Sequence, residues 1–238
     1  MKKIFFIPVL CIVLLSSCSW VSGKLQKTPS LVKAAELDRY KNKNSFVPDG
    51  SIIFIGDSFT EKWVETNPEF FESNNYIGRG IGGQSSSQLL LRFRQDVLDL
   101  NPSAVVINVG TNDIAENIGP YSPDFTLDCI KSMADLAACA GVKVILSSVL
   151  PAGEFWWKPE VSNIPVKIDD LNKQIKLYAD AKWFSYIDYN SVMRDEKGGL
   201  IETYGVDGAH PSAEGYKVME KISKSVLDNI KKQAYLLK

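Results

Sequence analysis

The chain has 238 residues, 45% hydrophobic and 23% charged, so it is long enough to bury one substantial core and too apolar to be disordered. Its 27 Lys and Arg nearly balance its 28 Asp and Glu, which argues against a nucleic acid or an anionic membrane surface as partner. The single histidine excludes any chemistry that needs two imidazoles.

The N-terminus has the pattern of an export signal. Two lysines precede an apolar run over residues 4–15, which is too short to span a bilayer, and small residues follow. The pattern predicts a signal peptide over residues 1–17. The run from Leu15 to Cys18 resembles a bacterial lipobox, which implies a lipid anchor on Cys18 that holds an exported protein on a membrane of the cell envelope. A plain secretory signal with a chance cysteine is the alternative.

The chain then divides into a polar segment and a folded domain. Residues 18–49 are predicted to form a lipidated N-terminus and tether with a short helix over 31–40, and residues 50–238 are predicted to form the domain. Apolar runs in the domain are typical of strands buried on both faces of a parallel sheet. These predicted strands cover residues 51–55, 75–77, 104–109, 142–149 and 184–187.

Helix signals alternate with the strands. Ser85 and Gln88 form a capping-box pattern, and Ser122 precedes a proline that favours a helix start. Apolar residues at helical spacing over 168–178 and 218–230 predict two more helices. The alternation predicts an α/β fold, a three-layer α/β/α sandwich around a five-stranded parallel sheet of the flavodoxin-like type. In such sheets functional groups lie at the carboxyl ends of the strands.

Residues suited to acyl transfer follow the predicted strands. Ser58 begins a helix after the first strand, where its hydroxyl can act as nucleophile and its N–H can face a developing negative charge. His210 is the only imidazole available as base, and Asp207 can orient its other ring nitrogen. The backbone N–H of Gly83 and the amide of Asn112 can supply further oxyanion donors.

These segments resemble the sequence blocks of the SGNH or GDSL-type serine hydrolases over residues 50–232. The resemblance implies the SGNH hydrolase fold and a carboxylic ester hydrolase that forms an acyl-enzyme, with no metal and no cofactor. It assigns the triad to Ser58, Asp207 and His210, and the oxyanion hole to Ser58, Gly83 and Asn112. Gln84 stands where several relatives carry Asp, which predicts altered hydrogen bonding in that loop. The matching blocks are Gly56-Asp57-Ser58, Gly83, Gly110-Thr111-Asn112-Asp113 and Asp207-Gly208-Ala209-His210.

Three other interpretations compete with this one. Gly78, Gly80 and Gly83 match a dinucleotide-binding pattern, but they follow the second predicted strand, and no acidic residue ends the next one. A zinc hydrolase would need more ligands than Asp207 and His210 provide. A surface sugar-binding lipoprotein on the same fold is the non-enzyme alternative.

The substrate prediction depends on an aromatic segment after the fourth predicted strand. Phe155, Trp156 and Trp157 are expected at the catalytic edge, where Trp156 and Trp157 stack on a sugar ring or line an acyl slot, or else form a lid packed on its own domain. With export and anchoring, this favours an esterase of O-acyl, above all O-acetyl, groups on glycans. A lipid or lysophospholipid esterase, or a thioesterase, is the alternative. The oligomeric state stays undefined by the sequence.

Overall fold

The structure, a computed structural model, describes residues 31–236, with side chains as far as residue 230. The predicted signal peptide, Cys18 and the first part of the predicted tether lie outside these residues. Across residues 31–236, none of the helices combines the length and apolarity needed to cross a bilayer.

The domain is built on one parallel sheet of five short strands in the order β2-β1-β3-β4-β5. This is the flavodoxin-like order, so the predicted fold class is confirmed. The sheet reverses direction of growth between β1 and β3, and ligands bind beside such a switch point, at the carboxyl ends of the strands. The strands are β1 (Ile52–Gly56), β2 (Tyr76–Gly80), β3 (Ala104–Asn108), β4 (Lys143–Ser147) and β5 (Ser185–Ile187).

Helices follow the strands and cover both faces of the sheet. The capping box at Ser85 and the helix start at Ser122 are both present, as predicted. The α-helices are α1 (Leu31–Ala34), α2 (Lys41–Asn44), α3 (Ser58–Thr66), α4 (Pro68–Glu72), α5 (Ser86–Asp96), α6 (Thr111–Ile114), α7 (Pro123–Cys139), α8 (Ile164–Lys182), α9 (Asn190–Met193) and α10 (Ala213–Leu236). Single 3-10 turns cover Leu98–Leu100 and Glu202–Tyr204.

Two apolar clusters separate the three layers. On one face of β1, Ile53 and Ile55 pack with side chains of α5, α7 and α8. On the other face, Ile52 and Phe54 pack with α3, α4 and α10. Alternate side chains of the fully buried strand β1 therefore contact helices on opposite faces of the sheet. The carboxyl edge of the sheet, between the two helical layers, stays open for a site.

The strand β2 is longer than the predicted segment 75–77, because two glycines weaken its strand signal. A Cβ at Gly78 would lie 2.2 Å from Cγ2 of Val64, and a Cβ at Gly80 would lie 2.1 Å from the backbone nitrogen of Glu61. Both glycines thus let α3 lie against β2. This packing role accounts for the glycines that suggested a dinucleotide site.

Residues 31–47 are docked on the domain. The predicted helix over 31–40 is reduced to the single turn α1, because Glu36 adopts a left-handed φ of 50°. Three backbone carbonyls of this segment accept hydrogen bonds from glutamine side chains of the domain instead. The pairs are Ala34 with Gln88, Ala35 with Gln84, and Leu37 with Gln95. The part of the predicted tether that the structure describes is therefore held against α5 and its preceding loop.

Candidate active site

The turn after β1 presents Ser58 at the switch point of the sheet. The strand ends at Gly56, where a Cβ would lie 2.8 Å from the carbonyl oxygen of Asn108, so β1 and β3 approach closely. Asp57 caps α3 by accepting a hydrogen bond from the N–H of Phe59 at 3.0 Å. Ser58 is the first residue of α3, where backbone N–H groups have no partner inside the helix. Its hydroxyl and its N–H therefore lie together at the corner where the chain turns from β1 into α3.

The loop before α10 brings His210 to Ser58. The Oγ atom of Ser58 lies 2.9 Å from Nε2 of His210, although the two residues are 152 positions apart. The imidazole is 9% exposed and lies between two aromatic rings, with centroid distances of 5.1 Å to Phe59 and 5.6 Å to Trp157. The sequence predicted this approach, and the geometry agrees with it.

Asp207 holds the other side of the imidazole. Its Oδ2 lies 2.8 Å from Nδ1 of His210, and its Oδ1 accepts from the N–H groups of Ala209 at 3.1 Å and His210 at 2.8 Å. Partial burial acts to raise the pKa of Asp207, but the hydrogen bonds from the backbone and ring of His210 outweigh it and hold the pKa below its usual range. The carboxylate is therefore ionised and its orientation is fixed.

Gly83 lies on an open surface and directly follows Gly82, which lies close to Ser58. A Cβ on the neighbouring Gly82 would be 3.9 Å from Cβ of Ser58, and a Cβ on Gly83 would meet nothing within 4 Å. Gly83 has a φ of 76°, which glycine adopts without strain. Within residues 31–236 the structure gives its N–H no hydrogen-bond acceptor. The N–H is free to bind a substrate oxygen, and its oxyanion role stays a prediction.

Asn112 lies next to the same corner but its amide is already engaged. Its Nδ2 donates to Oδ2 of Asp57 at 3.0 Å and to the carbonyl of Gln84 at 3.1 Å. Its Oδ1 accepts from Nδ2 of Asn117 at 2.6 Å. A substrate oxygen would have to share this amide with the acceptors already present, so its oxyanion role also stays a prediction.

Two buried carboxyl groups below the site were not identified from the sequence as a pair. Burial raises the pKa of Asp57 to about 7, with the Phe59 N–H acting against the shift and the carboxylate of Asp113 adding to it. Burial also raises the pKa of Asp113, which accepts from the backbone and hydroxyl of Ser86. Asp113 therefore ties the turn after β3 to the start of α5.

A buried arginine supports the turn that carries Ser58, and sequence reasoning missed it. Arg92 donates to the carbonyl of Gly56 at 2.9 Å, to Oε1 of Gln84 at 2.6 Å and to Asp96 at 3.1 Å. Gln84 accepts the bond from Arg92 and donates to the carbonyl of Ala35, and its effect on loop bonding relative to the family pattern stays a prediction. The i, i+4 spacing of Arg92 and Asp96 on α5 was the available signal.

The aromatic segment contacts Asp207 and His210, at the edge of the sheet where it was predicted. Phe155 is buried, Trp157 is partly buried, and Trp156 is 65% exposed. Nε1 of Trp156 donates to Oδ2 of Asp207 at 3.1 Å. Nε1 of Trp157 donates to Oδ1 of Asn117 at 3.2 Å. Both indoles therefore contact the candidate catalytic residues or their partners, and substrate contact stays a prediction.

Among the residues that the structure describes, no group of three or more His, Cys, Asp or Glu side chains is placed to hold an ion.

Comparison with known proteins agrees with the fold. The model of the GDSL-like lipase/acylhydrolase family matches residues 54–218, which includes every block of the candidate site. The solved structure of a GDSL-like lipase from Bacteroides thetaiotaomicron VPI-5482 is 46% identical, has a TM-score of 0.81, and covers 82% of this chain and 98% of its own. The chain therefore belongs to the GDSL-like lipase/acylhydrolase family, and its class is that of an ester hydrolase.

The names of two more distant proteins include a carbohydrate compound. An N-acylneuraminate cytidylyltransferase from Escherichia coli O18:K1:H7 is 29% identical over 196 residues, covering 78% of this chain. The chain spans only 44% of the length of that enzyme. A catalytic variant of an acetylxylan esterase from Geobacillus stearothermophilus has 18% identity and a TM-score of 0.60, covering 74% of this chain and 94% of its own. This last likeness concerns the fold alone.

Proposed function

We propose that this protein is a serine esterase that removes O-acyl groups, above all O-acetyl groups, from carbohydrate through an acyl-enzyme on Ser58. The observation that carries the proposal is the continuous pair of hydrogen bonds from Ser58 to His210 at 2.9 Å and from His210 to Asp207 at 2.8 Å. A nucleophile, a base and an orienting carboxylate in this order are what acyl transfer requires.

The proposed reaction has two halves. Nε2 of His210 takes the proton of the Ser58 hydroxyl as Oγ attacks the ester carbonyl, and the imidazolium then protonates the departing alcohol oxygen as the C–O bond breaks. Water next gives a proton to His210 and attacks the acyl-enzyme. The Ser58 oxygen recovers the proton as the carboxylic acid leaves. Asp207 keeps Nδ1 as the donor and stabilises the imidazolium.

The oxyanion of each tetrahedral intermediate is assigned to the corner between Ser58 and Gly83. The Ser58 N–H at the start of α3 and the N–H of Gly83 are the two donors that support this assignment. Asn112 is the third donor, in a shared hydrogen bond. Removing one such donor typically lowers kcat by about a hundredfold or more.

Support for a carbohydrate substrate comes from Trp156 and from the two distant comparisons. An indole that is 65% exposed beside Asp207 offers an apolar face to a sugar ring. N-acylneuraminate and acetylxylan, the compounds named for the two distant proteins, are both acylated carbohydrates.

An apolar acyl chain is the second candidate. Ile118 and Val206 are 59% and 67% exposed and directly follow or precede the site residues Asn117 and Asp207 in the chain. Their position favours a lipid or lysophospholipid esterase, or a thioesterase, as the alternative to an acetyl esterase.

An ester panel tests the proposal. Acetylated mono- and oligosaccharides are compared with p-nitrophenyl esters of increasing chain length, using the wild type and Ser58→Ala. We expect hydrolysis of acetyl esters that Ser58→Ala abolishes, and a fluorophosphonate adduct on Ser58. Ser132→Ala, on the exposed face of α7, is the matched control and should keep full activity. Activity retained in Ser58→Ala would refute the triad, whereas faster turnover of long acyl chains would favour the second candidate.

We also propose that the protein is exported and anchored through Cys18. The n-region, the apolar run and the residues before Cys18 support this proposal. Cys18→Ala should abolish incorporation of labelled fatty acid and release the protein from the membrane fraction. Unchanged fractionation with no label in the wild type would contradict the anchor.

A further inference from the structure

The loop after β4 places two indole N–H groups on different parts of the catalytic machinery. Trp156 donates to Asp207, and Trp157 donates to Asn117, which in turn donates to Asn112. We propose that Trp156 and Trp157 are positioning residues that hold the two ends of the site, the triad carboxylate and the oxyanion donor. This inference rests on the proposed function and adds a role beyond stacking on substrate.

The first half concerns the charge on Asp207. Its Oδ2 is shared between Nδ1 of His210 and Nε1 of Trp156, at 2.8 Å and 3.1 Å, and its Oδ1 already accepts two backbone N–H groups. Four donors saturate the carboxylate. Because the indole takes part of the negative charge on Oδ2, it weakens the hold of Asp207 on a protonated imidazole. Loss of this N–H should therefore strengthen the hydrogen bond from Nδ1 of His210 to Asp207.

The second half concerns the orientation of the Asn112 amide. Trp157, Asn117, Asn112 and Asp57 form a chain in which each amide oxygen accepts from the preceding donor. The backbone carbonyl of Gln84 accepts only, so Nδ2 of Asn112 must face it and Oδ1 must face Asn117. Without the donor from Asn117, Oδ1 of Asn112 loses its hydrogen bond, and the amide is held on its Nδ2 side alone.

The exposure of Trp156 favours a polar role over a packing role. Phe155 is 1% exposed and anchors the loop in the core, whereas Trp156 contacts Trp157 edge to face at a centroid distance of 5.7 Å. A ring so exposed contributes little buried area, and its defined contact with the domain is the N–H bond to Asp207. Trp183, which is 95% exposed at the end of α8, provides a matched tryptophan outside the site.

The single histidine makes the first half measurable without any substrate. In protein labelled with ¹⁵N-histidine and carrying no polyhistidine tag, every imidazole signal belongs to His210. Trp156→Phe keeps the ring and removes the N–H. We expect the proton on Nδ1 of His210 to resonate further downfield in Trp156→Phe, because its hydrogen bond to Asp207 becomes stronger, and to stay unchanged in Trp183→Phe. An unmoved Nδ1 proton signal in a folded Trp156→Phe protein overturns this half.

Other titratable groups surround the pair of His210 and Asp207 and are the same in all these variants. Asp57, with a pKa of about 7, lies on the turn before α3. The charges of Asp57 and Asp207 add to the burial that raises the pKa of Tyr216 on α10. Tyr216 also donates to the carbonyl of Phe59 at 3.1 Å. Because these groups are unchanged, the difference between variant and wild type isolates the indole N–H.

A double-mutant cycle tests the second half. With p-nitrophenyl acetate, Asn117→Ala should lower kcat about tenfold with little change in KM, Trp157→Phe should lower kcat in the same way, and neither should cost anything further in an Asn112→Ala background. A higher KM with unchanged kcat, or equal losses in both backgrounds, would overturn the positioning role. If Asn112→Ala itself leaves kcat unchanged, the oxyanion assignment of the proposed function fails instead, and the histidine spectrum still decides the first half.

Discussion

The buried carboxyl of Asp57 should make the stability of this protein fall as the pH rises from about 4 to about 7. Asp57 is fully buried, and its pKa in the folded protein is about 7 instead of 3.8. Between these values the unfolded chain loses the proton and the folded chain keeps it. The folded state therefore binds more protons, and the free energy of unfolding decreases with pH over this interval.

The size of the effect follows from the difference between the two pKa values. A difference of about three pH units, at about 1.4 kcal/mol for each, corresponds to about 4 kcal/mol. This stability is fully present below pH 4 and is lost by about pH 7. Asp57→Asn removes the titration, because an amide stays neutral throughout. The amide offers one acceptor to the two donors Phe59 and Asn112, so the variant also loses a constant amount of stability at every pH.

Urea unfolding at several pH values between 4.5 and 8 provides the measurement. The free energy of unfolding of the wild type minus that of Asp57→Asn should fall by up to about 4 kcal/mol across this range. Carboxyl groups remote from Asp57 cancel in the difference, whereas the coupling between Asp57 and Asp113 remains part of it. Asp128→Asn, at a side chain that is 70% exposed, is the control and should give a nearly flat difference. A flat difference for Asp57→Asn as well would refute the argument that burial holds its proton.

Three further outcomes are expected. Asp207→Asn should keep the fold and lower kcat by several orders of magnitude, which circular dichroism and ester hydrolysis would check. Trp63→Ala should destabilise the protein by about 3–5 kcal/mol in urea unfolding, because Trp63 is 2% exposed and packs in the aromatic cluster of α3 and α4. Gly80→Ala should lower the melting temperature more than Gly83→Ala, since only the first adds a Cβ 2.1 Å from a backbone nitrogen; similar melting temperatures would contradict this.

The sheet and the helix starts could be predicted because their signals are local. Buried strands such as β1 and β3 are continuous apolar runs, and the helix starts at Ser85 and Ser122 are marked by side chains that cap their own backbone. The four segments of the candidate site could be placed together because parallel strands end at one edge of a sheet. The predicted contact of Ser58 with His210 needed only this topology and the presence of a single histidine.

The features that the sequence did not predict depend on contacts between side chains that are far apart in the sequence. Glutamine amides of α5 hold residues 31–47 by hydrogen bonds, and no local sequence pattern in this segment predicts these bonds. Asn117 lies in a turn with no motif, and its role arises only from its position between Asn112 and Trp157. The raised pKa of Asp57 likewise comes from burial, which a capping residue does not reveal by its spacing.

The seating of the imidazole has a consequence for the fate of the acyl group. His210 has Phe59 and Trp157 beside its ring and is bound at both nitrogens, so it exchanges protons only through the Nε2 position facing Ser58. In the proposed reaction the incoming water must then occupy the space beside Nε2 that the alcohol has just left. A sugar hydroxyl that remains in this space competes with water for the acyl-enzyme. Concentrated acceptor sugars should therefore divert the reaction from hydrolysis to transesterification.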